Sequence, residues 1–496
     1  MIAKIVPIVI ICAYMAVCLV IGYLVFGSER RRGTAWDSGE YFIGQRTIGP
    51  FLGAMTYIST VFSALVFLGA VGIYFALGIG FNVFLLSEMI IIAIFVPTAG
   101  YIFWRLAHKH DYVTPADLVA HRYGNSKAVR AIVGVNTIGF NLFYMAAQIV
   151  GISYIMETVT GGLFNYTWAV ILISAVLAVY IVLGGFRAVV WTDALQVIIL
   201  GICVVATFLI LSFQFQWSEI FTQVQQVRPA LFKAPGPVPV YTMRMWTSLL
   251  FVIGIGFVLL PQLWVRVYAV KSEQGLRRIV TYFIAWTGVL FFICFFLAIA
   301  AAPIIKTLFA EGEKIVPAKI VMKLMFNNMS PWLAATLLTG AVAATMSTVD
   351  SAVLAISSVL TRDLYSKQVS TAVPVEREAV IGRIISVLLI VLMAILAFFP
   401  PKLLFSSLID FTYPGLVALA PATIIGLYWR KASTTAAIAS IVGGSLMAVY
   451  VLFNKNPMGL YSGFWSLVVA LVVYIVVTLI APSKEETFLP DTISAG

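Results

Sequence analysis

The eight residues from Ala344 to Ser351 read Ala-Thr-Met-Ser-Thr-Val-Asp-Ser and lie inside an otherwise apolar run. On a helix, Ser347, Asp350 and Ser351 share one face, being three and four residues apart. Ser347 and Thr348 can both present oxygen to a neighbouring unwound segment. Hydroxyl, carbonyl and carboxylate oxygens are the ligands that hold a small hard cation. The same hydroxyls can equally bond back to the preceding turn or let two helices pack closely. Asp350 tips the balance, because an ionisable group at membrane depth is expensive and functional by default. Glu88, Asp193 and Asp410 also fall within apolar runs. Asp193 is placed near a helix start, where a negative charge also suits the helix dipole. Glu88 and Asp410 either line a pathway or pair with a cation elsewhere. Tyr144 and Gln148, at i and i+4, make a polar stripe that serves helix-to-helix hydrogen bonding as well as solute contact.

Two apolar runs have the composition of interrupted helices. One reads Met55-Thr-Tyr-Ile-Ser59-Thr60-Val61-Phe62-Ser63-Ala64 and is rich in hydroxyls. The other, Gly254-Ile-Gly256-Phe257-Val-Leu-Leu-Pro261, carries glycines and a proline mid-span. Backbone polar groups at membrane depth must be paired, or must line a cavity or ion site. Transporters built from inverted repeats place such breaks at matching positions in each half. The two runs are five helices apart, the repeat length that makes them counterparts.

The elements that carry these residues follow from composition. Of 496 residues, 62% are hydrophobic and 10% charged, with a mean hydropathy of +1.04. A soluble domain has about 25% charged residues, so a cytosolic enzyme, a disordered chain and a secreted disulfide scaffold are excluded. The expected fold class is an all-α polytopic membrane protein with about thirteen transmembrane helices. The spans are 6–26, 49–77, 79–104, 129–158, 166–184, 189–213, 246–265, 279–305, 331–359, 379–399, 405–428, 432–453 and 464–482. Residues 27–48 form a first cytoplasmic loop, 1–482 a single transporter domain, and 483–496 a cytoplasmic tail. The loops 214–245 and 306–330 could hold short amphipathic surface helices. The net charge of +11 reads as topology and not as a nucleic-acid surface. About 21 of the Lys and Arg residues, including Arg122, Arg130, Arg266, Lys271, Arg277 and Arg278, fall in loops that this count puts inside, against about 10 outside. The N-terminus is then outside. The four cysteines lie in apolar runs without metal spacing, and His108, His110 and His121 share one basic loop. No nucleophile–base pair or metal-ligand motif supports an enzyme.

The stretch Gly184-Gly185-Phe186-Arg187-Ala188-Val189-Val190-Trp191-Thr192-Asp193-Ala-Leu-Gln196 resembles the signature of the sodium:solute symporters, the family of proline permease and the sodium–glucose cotransporters. Ala344 to Ser351 with Thr361-Arg362-Asp363-Leu364-Tyr365 is similar to that family too, as are Pro261 to Arg266 with Ala269-Val-Lys271-Ser272, and Gly426-Leu-Tyr-Trp-Arg430-Lys431-Ala-Ser. The resemblance implies two inverted five-helix repeats (5+5) with broken first helices, repeat 1 at 49–213 and repeat 2 at 246–428, with peripheral helices at 429–482. It implies a Na+ site formed by the carbonyls of Ser59, Phe62 and Ala344 and the hydroxyls of Ser347 and Thr348. Asp193, Ser347, Asp350 and Ser351 correspond to a second cation or proton site, in which Asp350 replaces a neutral position. Tyr144 and Pro261 match substrate-side positions, and Gln148, Val61, Ser63, Gly256 and Phe257 are expected in the same pocket. Val61, Gly256 and Phe257 depart from the larger or more polar residues of relatives, so no sugar or proline specificity carries over. The implied function is sodium-coupled symport that imports a small organic solute, a monocarboxylate or amino acid, across the lipid bilayer by alternating access. A proton-coupled carrier on the same fold is the nearest rival, and a passive channel the next.

Overall fold

In hydrocarbon every backbone N–H and C=O must find its partner within the segment, so long apolar runs fold as helices. The computed structural model describes residues 2–63, 65–238, 242–309, 315–316, 319–369, 373–399, 408–454 and 457–483, and no β-strand occurs among them. Residues 405–407 of the expected eleventh span and 484–496 of the tail lie outside the described residues. The main helices are α1 (Ile2–Arg32), α2 (Pro50–Ser59), α3 (Ala70–Leu77), α4 (Asn82–Phe95), α5 (Tyr101–His110), α6 (Pro115–Arg122), α7 (Lys127–Val159), α8 (Tyr166–Ser212), α9 (Met243–Val258), α10 (Pro261–Ala269), α11 (Glu273–Ala301), α12 (Pro331–Ser358), α13 (Val375–Phe398), α14 (Thr434–Phe453) and α15 (Ser462–Ile480).

Among the described residues, ten helices are long and apolar enough to cross a membrane, and the bent pair α9–α10, with 52° between its halves, makes eleven. Two of the ten, Val66–His110 and Tyr166–Ser212, are 45 and 47 residues long, about twice what a bilayer requires. Each is jointed at a glycine in the positive-φ region, Gly78 at φ +58° and Gly185 at φ +51°. A side chain is excluded at both. An added Cβ would lie 2.1 Å from the Leu231 carbonyl oxygen at Gly78, and 2.6 Å from the Tyr41 ring at Gly185.

The helix with the hydroxyl–carboxylate face, α12, is the axis of the bundle. Its most apolar window is wholly buried, against 28% for α15, and α7, α8 and α1 pack around it. Its small residues, such as Gly340, Ala341, Ala343 and Ala344, let those neighbours come close. The α14–α15 pair stands at the edge. An isolated parallel bridge joins Ile48, before α2, to Val270, after α10, so the start of one broken helix is tied to the end of the other.

Two expectations need correction. Lys319–Asn328 is not a surface helix, because Ile320, Val321, Met322, Leu324 and Met325 are all buried. Trp217–Val227, which buries only Val224, does lie on the surface. Arg122 and Arg130, counted above as loop charges, are buried. Arg122 donates to the carbonyls of Gly426 (2.5 Å) and Trp429 (2.8 Å), which satisfies the end of the Asp410–Tyr428 helix. Arg130 bridges Asp117 (2.5 Å) and Asp363 (2.7 Å), pinning α6 to the end of the Pro331–Ser366 helix.

Candidate functional site

The α2 helix stops at Ser59 because the hydrogen-bond ladder changes step. Val61 and Phe62 N–H both return to Ile58 O (3.2 Å each), Ser63 N–H bonds Val61 O (3.2 Å), and Val66 N–H bonds Ser63 O (2.9 Å). In a regular helix Ser63 would serve the Ser59 carbonyl and Val66 the Phe62 carbonyl. Both carbonyls lose that partner. The Ser347 hydroxyl on α12 reaches across instead, 2.9 Å from Ser59 O and 2.6 Å from Ala344 O. One hydroxyl has one proton and can serve only one of these acceptors at a time. Three oxygens so placed, all from neutral groups, suit a small monovalent cation. The Thr348 hydroxyl is 3.5 Å from Ala344 O, and Ser59, Phe62, Ala344, Ser347 and Thr348 are all buried. The structure therefore brings Ser59, Ala344, Ser347 and Thr348 together. Phe62 lies in the same break, its ring centroid 5.8 Å from that of Phe283.

One turn further along α12 the chemistry becomes ionic. The Tyr180 hydroxyl donates to Asp350. Ser351 meets Thr60 at 3.2 Å and accepts from Arg266. Asp193 accepts from Thr56 at 2.5 Å and from Arg266 Nη2 at 3.3 Å. Asp193, Asp350 and Ser351 are fully buried and Arg266 is 1% exposed. Its guanidinium also lies 5.3 Å over the Phe186 ring, a favourable contact in a desolvated setting. This corrects the assignment of Arg266 to a loop. The 52° bend and the helix restart at Pro261 turn it back into the packed interior. Two carboxylates thus share one guanidinium. Asp193 Oδ1, Asp350 Oδ1 and Arg266 Nε have no protein partner among the described residues.

The expected solute residues fall into two groups. Tyr144 and Gln148 lie buried on α7, and both polar atoms of the Gln148 carboxamide lack a protein partner. The Glu88 carboxyl is within electrostatic reach of the hydroxyls of Tyr413, Tyr57 and Tyr144. Gly256 packs directly on Tyr413, with 2.9 Å between its Cβ position and the Tyr413 side chain. The rings of Phe257, Phe62 and Tyr57 converge on Phe283, with centroids 5.5, 5.8 and 6.0 Å away. Val61 is half-buried and Ser63 buried within the α2 break. Pro261 begins α10, which packs on α12 and α2, and the carboxamide of the neighbouring Gln262 is buried without a protein partner. Asp410 is half-buried.

Arg266, Thr56, Thr60, Tyr180, Tyr413 and Phe283 were not foreseen. Charge balance could have pointed to Arg266: carboxylates at membrane depth need a counter-charge, and it stands only five residues after a mid-span proline. Nothing local marks the tyrosines or Phe283.

An all-helical membrane bundle whose interrupted helix offers carbonyls to the hydroxyls of a buried neighbour is built as a membrane transporter. Comparison with known sequences narrows the class. The chain belongs to the sodium:solute symporter family, whose sequence model matches residues 41–444. It is 27% identical over 465 residues to a sodium/pantothenate symporter of Haemophilus influenzae, covering 91% of this chain and 92% of that protein. It is 24% identical over 469 residues to a sodium/proline symporter of Staphylococcus saprophyticus, covering 91% and 86%. Its fold is similar to that of a Na+-coupled sialic acid symporter in a substrate-bound outward-open state, with TM-score 0.81, 15% identity, and coverage of 97% of this chain and 99% of that one.

Proposed function

We propose that the protein is a sodium-coupled secondary active symporter that imports a small carboxylate-bearing solute, a monocarboxylate or an amino acid, by alternating access. The observation that carries this reading is the Ser347 hydroxyl held between the Ser59 and Ala344 carbonyls across the broken α2. Sodium binds Ser59, Phe62, Ala344, Ser347 and Thr348, and so ties α2 to α12. The solute binds among Tyr144, Gln148, Val61, Ser63, Gly256, Phe257 and Pro261. Two features support a carboxylate-bearing solute: the unpartnered carboxamides of Gln148 and Gln262, and the pantothenate, proline and sialic acid named for the similar proteins. Asp193, Asp350 and Ser351 form a second cation or proton site, a reading supported by the excess of carboxylate over guanidinium there.

Dividing Val66–His110 at Gly78 and Tyr166–Ser212 at Gly185 gives thirteen spans, ten in two inverted five-helix repeats and three peripheral. The excess of Lys and Arg in alternate loops supports an external N-terminus. Coupling arises because sodium favours the state in which the solute pocket is formed. One ion entering down about 100 mV and a tenfold gradient releases roughly 3.7 kcal/mol, enough for about 500-fold accumulation.

The test is a solute screen in proteoliposomes that includes pantothenate, proline and simple monocarboxylates, with and without an inward sodium gradient. Sodium-driven accumulation of one of them is expected. Uptake that ignores sodium and follows an imposed pH gradient would instead establish the proton-coupled reading, which the surplus buried carboxylate favours.

A further inference from the structure

Between α4 and α5 the helix widens into a π-turn, Val96–Gly100, that contains Pro97. Beside it α11 begins at Glu273. A groove of about 590 Å³ lies between the two, walled by Val96, Pro97, Leu276 and Val280, with Tyr101, Arg277 and Glu273 at its rim. Neither the sodium site nor the solute pocket uses any of these residues.

We propose that this groove binds one anionic phospholipid of the inner leaflet, with the headgroup on the basic rim and an acyl chain along the apolar wall. Three observations converge on that occupant. The first is charge. Arg277 is exposed and pairs with Glu273 at 2.8 Å, Arg105 is exposed one turn after Tyr101, and the exposed Lys271 stands two residues before Glu273 in the chain. Arg277 in the lining and Arg105 on the lining Tyr101 ring outnumber the one lining carboxylate, Glu273, and basic pockets between membrane helices on the cytoplasmic side recruit acidic headgroups. The second is depth. Glu273 and Thr281, both lining the groove on α11, are eight residues apart, about 12 Å along the axis, so the groove runs from headgroup level into hydrocarbon. The third is the make-up of the rim. The Arg105 guanidinium lies 6.0 Å over the Tyr101 ring, and Trp104 bonds the Val270 carbonyl at 2.8 Å. Aromatic side chains of this kind sit at the membrane–water interface. A free hydrated phosphate has no use for the apolar wall. A zwitterionic lipid gains nothing from the net positive charge.

The full-length protein is reconstituted in phosphatidylcholine vesicles containing a trace of phosphatidylglycerol with a photoactivatable acyl chain. Labelling is expected in segments 96–101 and 276–281, competed by unlabelled phosphatidylglycerol but not by extra phosphatidylcholine or by glycerol 3-phosphate. Each charge removed should weaken apparent affinity about fivefold, so Arg105→Gln with Arg277→Gln should cost about 25-fold, and the Lys versions should retain binding. Val280→Trp, which fills the groove and leaves the rim intact, should also abolish labelling. The proposal is overturned by equal competition from phosphatidylcholine, by competition from glycerol 3-phosphate, by cross-links to a second copy of the chain, or by labelling unchanged in both variants. Sodium-driven uptake is scored separately, so failure here leaves the transport reading untouched.

Discussion

Replacing Arg266 by methionine removes the buried cation paired with Asp193 and changes side-chain volume little. The guanidinium meets Asp193 at 3.3 Å and also donates to Ser351, and all three side chains are shielded from water. Breaking one side of such a pair leaves an uncompensated charge in low dielectric, which costs roughly 3–5 kcal/mol. Arg266→Met should therefore be among the most destabilising single changes in the protein. Asp193→Asn on its own strands the guanidinium and should also destabilise. The double variant, with neither charge left unbalanced at that contact, should lose less than the sum of the singles, with a coupling of about 1–3 kcal/mol. The assay is unfolding in mixed micelles followed by tryptophan fluorescence, with all four proteins at one ionic strength. An Arg266→Met variant within about 1 kcal/mol of the parent, or strictly additive effects, would show that the two charges do not depend on each other.

Other outcomes follow from the same geometry. Burial raises the Asp117 carboxyl, but Arg362 and Arg130 more than reverse this and hold it well below its ordinary value of 3.8. A depressed folded value stabilises above that pH and is lost below it, so Asp117→Asn should be less stable than the parent near neutrality. The gap should close as melting is followed below pH 3.8, whereas a constant gap would contradict this. Tyr180→Phe removes the donor to Asp350 and should cost about 1–3 kcal/mol in the same unfolding assay, with no effect expected from Tyr23→Phe on the exposed face of α1. Gly185→Ala forces a side chain into a positive-φ joint 2.6 Å from the Tyr41 ring. Its folded yield should collapse, and a normally folded variant by size-exclusion chromatography would show that the joint is slack.

What could be read from the sequence was what depends on one helix at a time. Ser347, Asp350 and Ser351 had to share a face once the 344–351 run was helical, and the structure keeps them on one buried helix. The partner of that face was legible only through family resemblance, because nothing local to Ser59 says which helix will receive its carbonyl. Arg266 was misplaced because a straight span over 246–265 puts it at the membrane edge. The bend after Val258 reverses its direction, and a bend angle is not written in the residues that make it. The joints at Gly78 and Gly185 fall where the sequence divides its apolar runs, between 49–77 and 79–104 and between 166–184 and 189–213, but that helix continues on both sides of a single positive-φ glycine with no room for a side chain is set by packing on Leu231 and Tyr41. Glu88 with Tyr413, and Arg130 with Asp117 and Asp363, are pairs from distant segments, set by packing and not by spacing.

The central claim is that sodium couples transport by joining the α2 break to α12 through Ser347 and Thr348. Its most direct test compares the parent with a Ser347→Ala, Thr348→Ala double variant in proteoliposomes, measuring solute uptake against an imposed sodium gradient. The parent should accumulate solute uphill only with sodium, and the folded double variant should lose sodium stimulation altogether. Normal sodium dependence in that variant would contradict it.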